Sequence, residues 1–221
     1  MAPTDSATCD PDSRTGLPQI AGIILAAGGS SRMGLPKQLL EFGGVSLLRR
    51  ACQVALQSGL SPAFVVLGPD ADRFARELDG LSVETVINVN WREGIGSSIR
   101  TGIRAVRIGA PNAEAIVIML CDQPMVRPEL IAQLADRYRA TGSPIVASQY
   151  QDALGVPALF ARSYFAELES LRGGSGAKGV IASAGAAVQA VPFPPGAFDI
   201  DTEHDYARLR GFGGSTESRR T

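Results

Sequence analysis

Short apolar runs recur along this chain, and the stretches between them carry apolar residues at helical spacing. Residues 20–24 (Ile-Ala-Gly-Ile-Ile), 63–67, 83–87, 115–120, 145–147, 157–160 and 188–191 read as buried strands. Residues 45–58 place Leu47, Leu48, Val54 and Leu56 on or near one helical face. Residues 70–78 predict a helix that opens on Asp70 as N-cap. Helices are also predicted over 95–108, over 127–140 with Pro128 in the first turn, and over 163–171, 177–184 and 203–209. Strands and helices in alternation, with strands apolar on both faces, predict an α/β fold of three layers, α/β/α, around a mostly parallel sheet. With no internal repeat and no long linker, residues 19–210 read as one domain. Residues 1–18, rich in Pro, Ser, Thr and Asp, read as a disordered leader, and residues 211–221 as a flexible tail.

Composition narrows the function classes. At 221 residues the chain is long enough for one sizeable core, and 45% hydrophobic with 19% charged residues is ordinary for a globular protein. A net charge of −1 argues against an extended nucleic-acid surface, which would favour a basic excess. No apolar stretch reaches membrane-span length, and the N-terminal residues lack the basic-then-apolar order of a signal peptide. Cys9, Cys52 and Cys121 are too scattered for a disulfide framework, so a cytoplasmic location is expected. Three cysteines and one histidine do not suggest a zinc site.

The chemistry concentrates directly after the first strand. There Leu25-Ala26-Ala27-Gly28-Gly29-Ser30-Ser31-Arg32-Met33-Gly34-Leu35-Pro36-Lys37 brings backbone N–H groups into the open without bulky side chains. Such a nest attracts anionic oxygens, and Arg32 and Lys37 add fixed positive charge. Gly34 is separated from Lys37 by Leu35 and Pro36, which excludes a Walker A loop, and no Gly-x-Gly-x-x-Gly follows the strand. The competing reading is a surface loop with two incidental cations.

This pattern, Leu-Ala-Ala-Gly-x-Ser-x-Arg-Met-Gly-x-x-Lys, resembles the signature of the MobA-like nucleotidyltransferases, within them the molybdenum cofactor cytidylyltransferases. The resemblance runs from about residue 20 to about residue 209 and implies the Rossmann-like fold of the nucleotide-diphospho-sugar transferases. Carried over to this chain, it makes Leu25, Ala26, Ala27, Gly28, Gly29, Ser30, Ser31, Arg32 and Lys37 nucleotide contacts, with Arg32 and Lys37 also catalytic.

Three further segments extend the candidate site. Asp122 follows the strand at 115–120, where ligands of open α/β sheets bind, and an oxygen donor there suits Mg²⁺. The resemblance makes Asp122 a catalytic metal ligand, against the plainer reading of a helix cap. In Asp199-Ile200-Asp201-Thr202 the resemblance favours Asp201 as the second metal-proximal acid. The alternative is that Asp201 or Thr202 caps the helix at 203–209. The segment from Asn88 to Ile99 resembles an Asn-x-x-Trp-x-x-Gly-x-x-x-Ser motif bordering the nucleotide. Here Ser97 and Ser98 are the expected contacts and Trp91 is expected to anchor the core.

Gly155 and Pro157 resemble the acceptor-side Gly-x-Pro segment. Gly174, Gly176 and Gly179 satisfy Gly-x-Gly-x-x-Gly, yet a helix precedes them, which excludes a dinucleotide site. Relatives carry Gly-Asp-x-Gly-Ala-Arg at this place, where this chain has Gly174 and Lys178 at the Asp and Arg positions. His204 reads as a solvated helix residue, and no serine-hydrolase elbow is present.

The resemblance implies transfer of CMP from CTP to the terminal phosphate of molybdopterin, with Mg²⁺ as cofactor, pyrophosphate as leaving group and a molybdoenzyme as possible recipient of the product. A phosphate monoester, with its second pKa near about 6, is already a nucleophile at neutral pH, so no general base is required. Guanylyl-transferring relatives carry Leu-Ala-Gly-Gly, and the Ala27 methyl should favour a pyrimidine. The alternatives are transfer to a sugar or polyol phosphate and a non-catalytic protein that delivers the molybdenum cofactor.

Overall fold

A seven-stranded sheet in the order β5-β4-β1-β6-β8-β7-β9 forms the centre of the structure, a computed structural model that describes residues 17–28, 36–68, 70–198, 200 and 202–213. Its elements run β1 (Ile20–Ala26), a hairpin of β2 (Glu41–Phe42) and β3 (Val45–Ser46), α1 (Leu47–Gln57), β4 (Ala63–Leu67), α2 (Ala75–Leu78) and β5 (Glu84–Ile87). Next come α3 (Ile95–Gly109), β6 (Ala115–Leu120), α4 (Pro128–Thr141), β7 (Ile145–Tyr150) and β8 (Ala153–Ala161). The chain continues with α5 (Phe165–Ser170), α6 (Ala177–Ala184), β9 (Val188–Pro192) and α7 (Glu203–Gly213).

The predicted layers are present. Side chains of a strand alternate between faces, and in β1 Ile20, Ile24 and Ala26 pack with α1 and α4, while Ala21, Ile23 and Leu25 pack with α3, α5 and α6. Strands β4 and β6 divide in the same way, Val65 and Val117 to the first core, Phe64, Val66, Ile116 and Ile118 to the second. Each fully buried Ile, Leu or Phe contributes about 1.5–3 kcal/mol, which is why the apolar runs are continuous.

Four local expectations are corrected. The helix expected from residue 45 starts at Leu47, because Val45 and Ser46 pair with Phe42 and Glu41 and Ser46 Oγ caps Arg49 N–H at 3.1 Å. Asp70 provides no side-chain cap, since the chain first forms a 3-10 turn over Ala71–Phe74. The run at 157–160 belongs to a longer strand, β8, antiparallel to both β6 and β7. The helix expected over 163–171 is a 3-10 turn, Arg162–Tyr164, followed by α5. At the last helix, Thr202 Oγ accepts from Asp205 N–H at 3.2 Å, and Asp205 Oδ2 accepts from Thr202 N–H at 2.9 Å, a reciprocal cap.

Strand order reverses beside β1. The chain leaves β1 towards β4 and β5 on one side, and leaves β6 towards β7 and β8 on the other. The carboxyl ends of β1 and β6 therefore flank a topological switch point, where open α/β sheets bind ligands.

Candidate active site

At that switch point lies a cavity of about 560 Å³, within the range of small-molecule sites. Leu25, Ala26, Ala27 and Gly28 line it from β1, and Leu120, Cys121 and Asp122 from β6. Register explains the meeting: Leu25 pairs with Leu120, and Cys121 N–H donates to Leu25 O at 3.3 Å, so both strands release their chains at one level. Lys37 opens the 3-10 turn Lys37–Leu39, and its Nζ lies 3.5 Å from Asp122 Oδ2. Both side chains are partly buried, 19% and 24% exposed. A partly desolvated pair on a cavity wall can recruit ligand oxygens, the lysine directly and the carboxylate through a hard cation.

The facing wall comes from the loop after β5 and the start of α3. Asn88 is buried, donating from Nδ2 to Ser97 Oγ at 2.8 Å and Ser98 Oγ at 3.0 Å while Oδ1 accepts from Asn90 N–H. Ser98 lines the cavity. Ser97 does not line it: its hydroxyl turns back to Gly94 O at 2.8 Å, away from the expected ligand contact. Trp91, expected to anchor the core alone, packs against the core with one part of its ring and lines the cavity with another. Its Nε1 is buried without a hydrogen-bond partner among the described residues, and Arg92 stacks 4.8 Å from its ring centroid. Arg92 also lines the cavity, adding a second cation to Lys37 among the described residues.

The glycine-rich segment after α5 supports this wall. Gly96 N–H donates to Gly173 O at 3.2 Å, and Arg100 holds both Leu171 O and the Glu93 carboxylate. Gly94 adopts φ +110°, and a Cβ there would come within 2.5 Å of Gly173 O, so only glycine lets the two loops meet. Lys178 is exposed, its side chain lying beside Gly155 with its ammonium 5.6 Å from the Tyr150 ring, and His204 is exposed as expected.

On the other side of Asp122, Gln123 Nε2 donates to Val156 O at 3.1 Å, which ties the Gly155–Pro157 segment of β8 to the Asp122 turn. Neither Gly155 nor Pro157 lines the cavity itself. Ile200 N–H donates to Asp122 O at 3.4 Å, so the C-terminal segment returns to the same place. Gly29, Ser30, Ser31, Arg32 and Asp201 lie outside the described residues. Among the described residues no group of three or more His, Cys, Asp or Glu gathers as a metal cluster, and no helix is long and apolar enough to cross a membrane.

The thiol next to Asp122 is not a nucleophile. Burial first, then the neighbouring Asp122 and Cys52, push the Cys121 thiol well above its ordinary value, so it stays protonated at neutral pH. Residues the sequence reading passed over are Gln38, Arg92 and Cys121. Gln38 had no composition signal, whereas Arg92 sat inside a motif already singled out.

Residues 22–189 match the family described as MobA-like NTP transferase domain. Over 126 residues the chain is 32% identical to nicotine blue oxidoreductase of Paenarthrobacter nicotinovorans, covering 57% of this chain and 60% of that one. The chain spans 60%, 56% and 28% of the first three curated relatives it matches. The crystal structure of Rv0371c from Mycobacterium tuberculosis H37Rv superposes with a TM-score of 0.73 at 36% identity, covering 86% of this chain and 97% of that one. A manganese complex of Rv0371c from the same organism superposes at 0.69 with 33% identity, again over 86% and 97%.

Proposed function

Because the chain belongs to the MobA-like NTP transferase family, whose fold and nucleotidyltransferase character it shares, we propose that it transfers CMP from CTP to the terminal phosphate of molybdopterin. The observation that carries the reading is the Lys37–Asp122 approach of 3.5 Å inside a cavity walled by the start of the glycine-rich loop. A phosphate oxygen of the acceptor attacks the α-phosphorus. One P–O bond forms there, the bond to the β-phosphate oxygen breaks, and pyrophosphate leaves with the electron pair. The acceptor is already ionised, so the protein supplies placement and charge neutralisation.

Lys37 offsets charge on the triphosphate, and Arg32 shares this work. The Ala27 methyl lines the cavity beside the nucleotide and favours the smaller base by about 1–3 kcal/mol. Ser98 contacts the nucleoside, and Gly155 and Pro157 border the acceptor side.

A divalent ion fits the donors present. Mg²⁺ is commonly held by one or two carboxylates together with substrate phosphates, and Asp122 offers a carboxylate on the cavity wall with Asp201 as the proposed second. When bound, the ion supplies Lewis-acid neutralisation of phosphate charge. The manganese complex of Rv0371c supports a divalent metal here without choosing Mg²⁺ over Mn²⁺.

Pyrophosphate release tests the proposal, with CTP, GTP or UTP offered against molybdopterin and against sugar and polyol phosphates. Release with CTP and molybdopterin alone is the expected result. Release with a sugar phosphate would move the acceptor to another class. Stoichiometric nucleotide binding without pyrophosphate would make the chain a delivery protein.

A further inference from the structure

Gln38 is a buried cavity-wall residue to which nucleotidyl transfer, as argued above, assigns nothing. It is only 4% exposed. Its Nε2 donates to Ala26 O at 2.7 Å and to Gly28 O at 2.9 Å, twelve and ten residues back along the chain. Its Oε1 is buried and accepts no hydrogen bond among the described residues. The amide cannot be turned over, because Oε1 would then face two carbonyl oxygens. An apolar side chain of similar length would fill the same space but take the donor from both carbonyls, so the amide is accounted for by these two bonds and not by packing alone.

The two bonds act on the parts that matter. Ala26 and Gly28 both line the cavity at the β1 exit, and Lys37 immediately precedes Gln38 in one 3-10 turn. In a trans peptide the C=O and N–H point in opposite directions. Holding Ala26 O towards Gln38 therefore aims the Ala27 N–H the other way. Successive side chains of a 3-10 turn diverge by about 120°, so fixing Gln38 also fixes the direction in which Lys37 leaves towards Asp122.

We infer that Gln38 is a positioning residue: it clasps the end of β1 to the Lys37 turn and so sets the lysine and the adjoining peptide planes for the triphosphate. The inference rests on the nucleotidyl-transfer reading.

The test compares the full-length chain with Gln38→Met and Gln38→Glu, by steady-state pyrophosphate release between pH 5.5 and 9, as roughly spans carboxyl titration in a buried site, and by thermal melting. Gln38→Met keeps the volume but not the donors, and kcat is expected to fall about 10–100-fold, with a lower melting temperature from the two carbonyls left without this donor but a chain that still folds. Gln38→Glu is as inactive at high pH, where its carboxylate donates nothing, and recovers as falling pH gives it an O–H donor. Lys37, Asp122, Cys121 and Arg92 share the cavity in both variants, so a difference between the two pH profiles belongs to position 38. A Met variant within twofold of the parent kcat, or a Glu variant whose profile matches the Met variant's, overturns the inference. Should the Met variant fail to fold, the Glu profile decides. Absence of pyrophosphate release by the parent chain with every nucleotide overturns the underlying reading as well, whereas normal parent turnover with indifferent variants overturns the clasp alone.

Discussion

Lys37 and Asp122, far apart in sequence, face each other at 3.5 Å because β1 and β6 are parallel neighbours in register. Each residue follows its strand's carboxyl end, and the chain then leaves in opposite directions across the sheet. Strand order brings the ends of β1 and β6 side by side, and the Gln38 bonds to Ala26 O and Gly28 O return the Lys37 turn to that edge. What the particular residues add is opposite charge on a shared, half-dry wall.

Substitution of either partner should remove activity without unfolding the protein. A partly exposed ion pair contributes at most about 1 kcal/mol to stability, whereas a lost electrostatic contact in the reaction costs about 10²–10³ in kcat. Lys37→Met and Asp122→Asn are expected to melt within a few degrees of the parent while pyrophosphate release falls by that factor. Asp122→Asn should also weaken Mn²⁺ binding, measured by electron paramagnetic resonance. An Asp122→Asn chain with undiminished metal affinity and turnover would remove the carboxylate from the mechanism.

The parts of this site that were legible in the sequence are those whose cause is local. The run at 115–120 is apolar on every residue because β6 is covered on both faces, and a carboxylate just beyond such a strand stands at a ligand-binding edge. The direction of β8 was not legible, since an apolar run looks the same parallel or antiparallel. Asp70 illustrates a good cap residue overridden by a tighter turn. Gln38 is the clearest omission: its burial arises only when the β1 exit folds over it, and a lone glutamine carries no signal of that. Ser97 and Ser98 were read as equivalent, but successive helical residues point about 100° apart, and only Ser98 reaches the cavity.

Gly94 should tolerate no side chain. Its φ of +110° is unfavourable for any other residue, and a Cβ would press on Gly173 O at 2.5 Å. Gly94→Ala is expected to cost about 1–3 kcal/mol in urea unfolding. Because Ile95 and Ser98 follow on the same helix and line the cavity, nucleotide affinity should fall as well. Unchanged stability would mean that the two loops do not pack as described.

Trp91 provides a direct binding signal. It is the single tryptophan of the chain, it lines the cavity, and Arg92 lies over its ring. Nucleoside triphosphate entering the cavity should change the emission intensity saturably, with an apparent Kd that rises on Lys37→Met. A titration in which no triphosphate perturbs emission, yet calorimetry detects binding, would place the nucleotide elsewhere.

Alkaline pH should expose the buried thiols. Burial pushes Cys52 from 9.0 up to about 12, with Arg49 opposing weakly, and Cys121 moves in the same direction. Below about pH 9 both thiols are protonated in the folded and unfolded chain alike, and stability does not depend on them. Between 9 and about 12 the unfolded chain has released the Cys52 proton while the folded chain retains it. The unfolded state then binds fewer protons, so stability falls as pH rises, by up to about 1.4 kcal/mol per pH unit for each such thiol. Urea unfolding at pH 8, 9 and 10.5, roughly bracketing the thiol transition, should show this decline in the parent chain. Cys52→Ala carries its own cavity cost at every pH, but its stability should decline less steeply above pH 9. The two proteins differ only at position 52, so parallel slopes would mean that Cys52 is not held protonated by the fold.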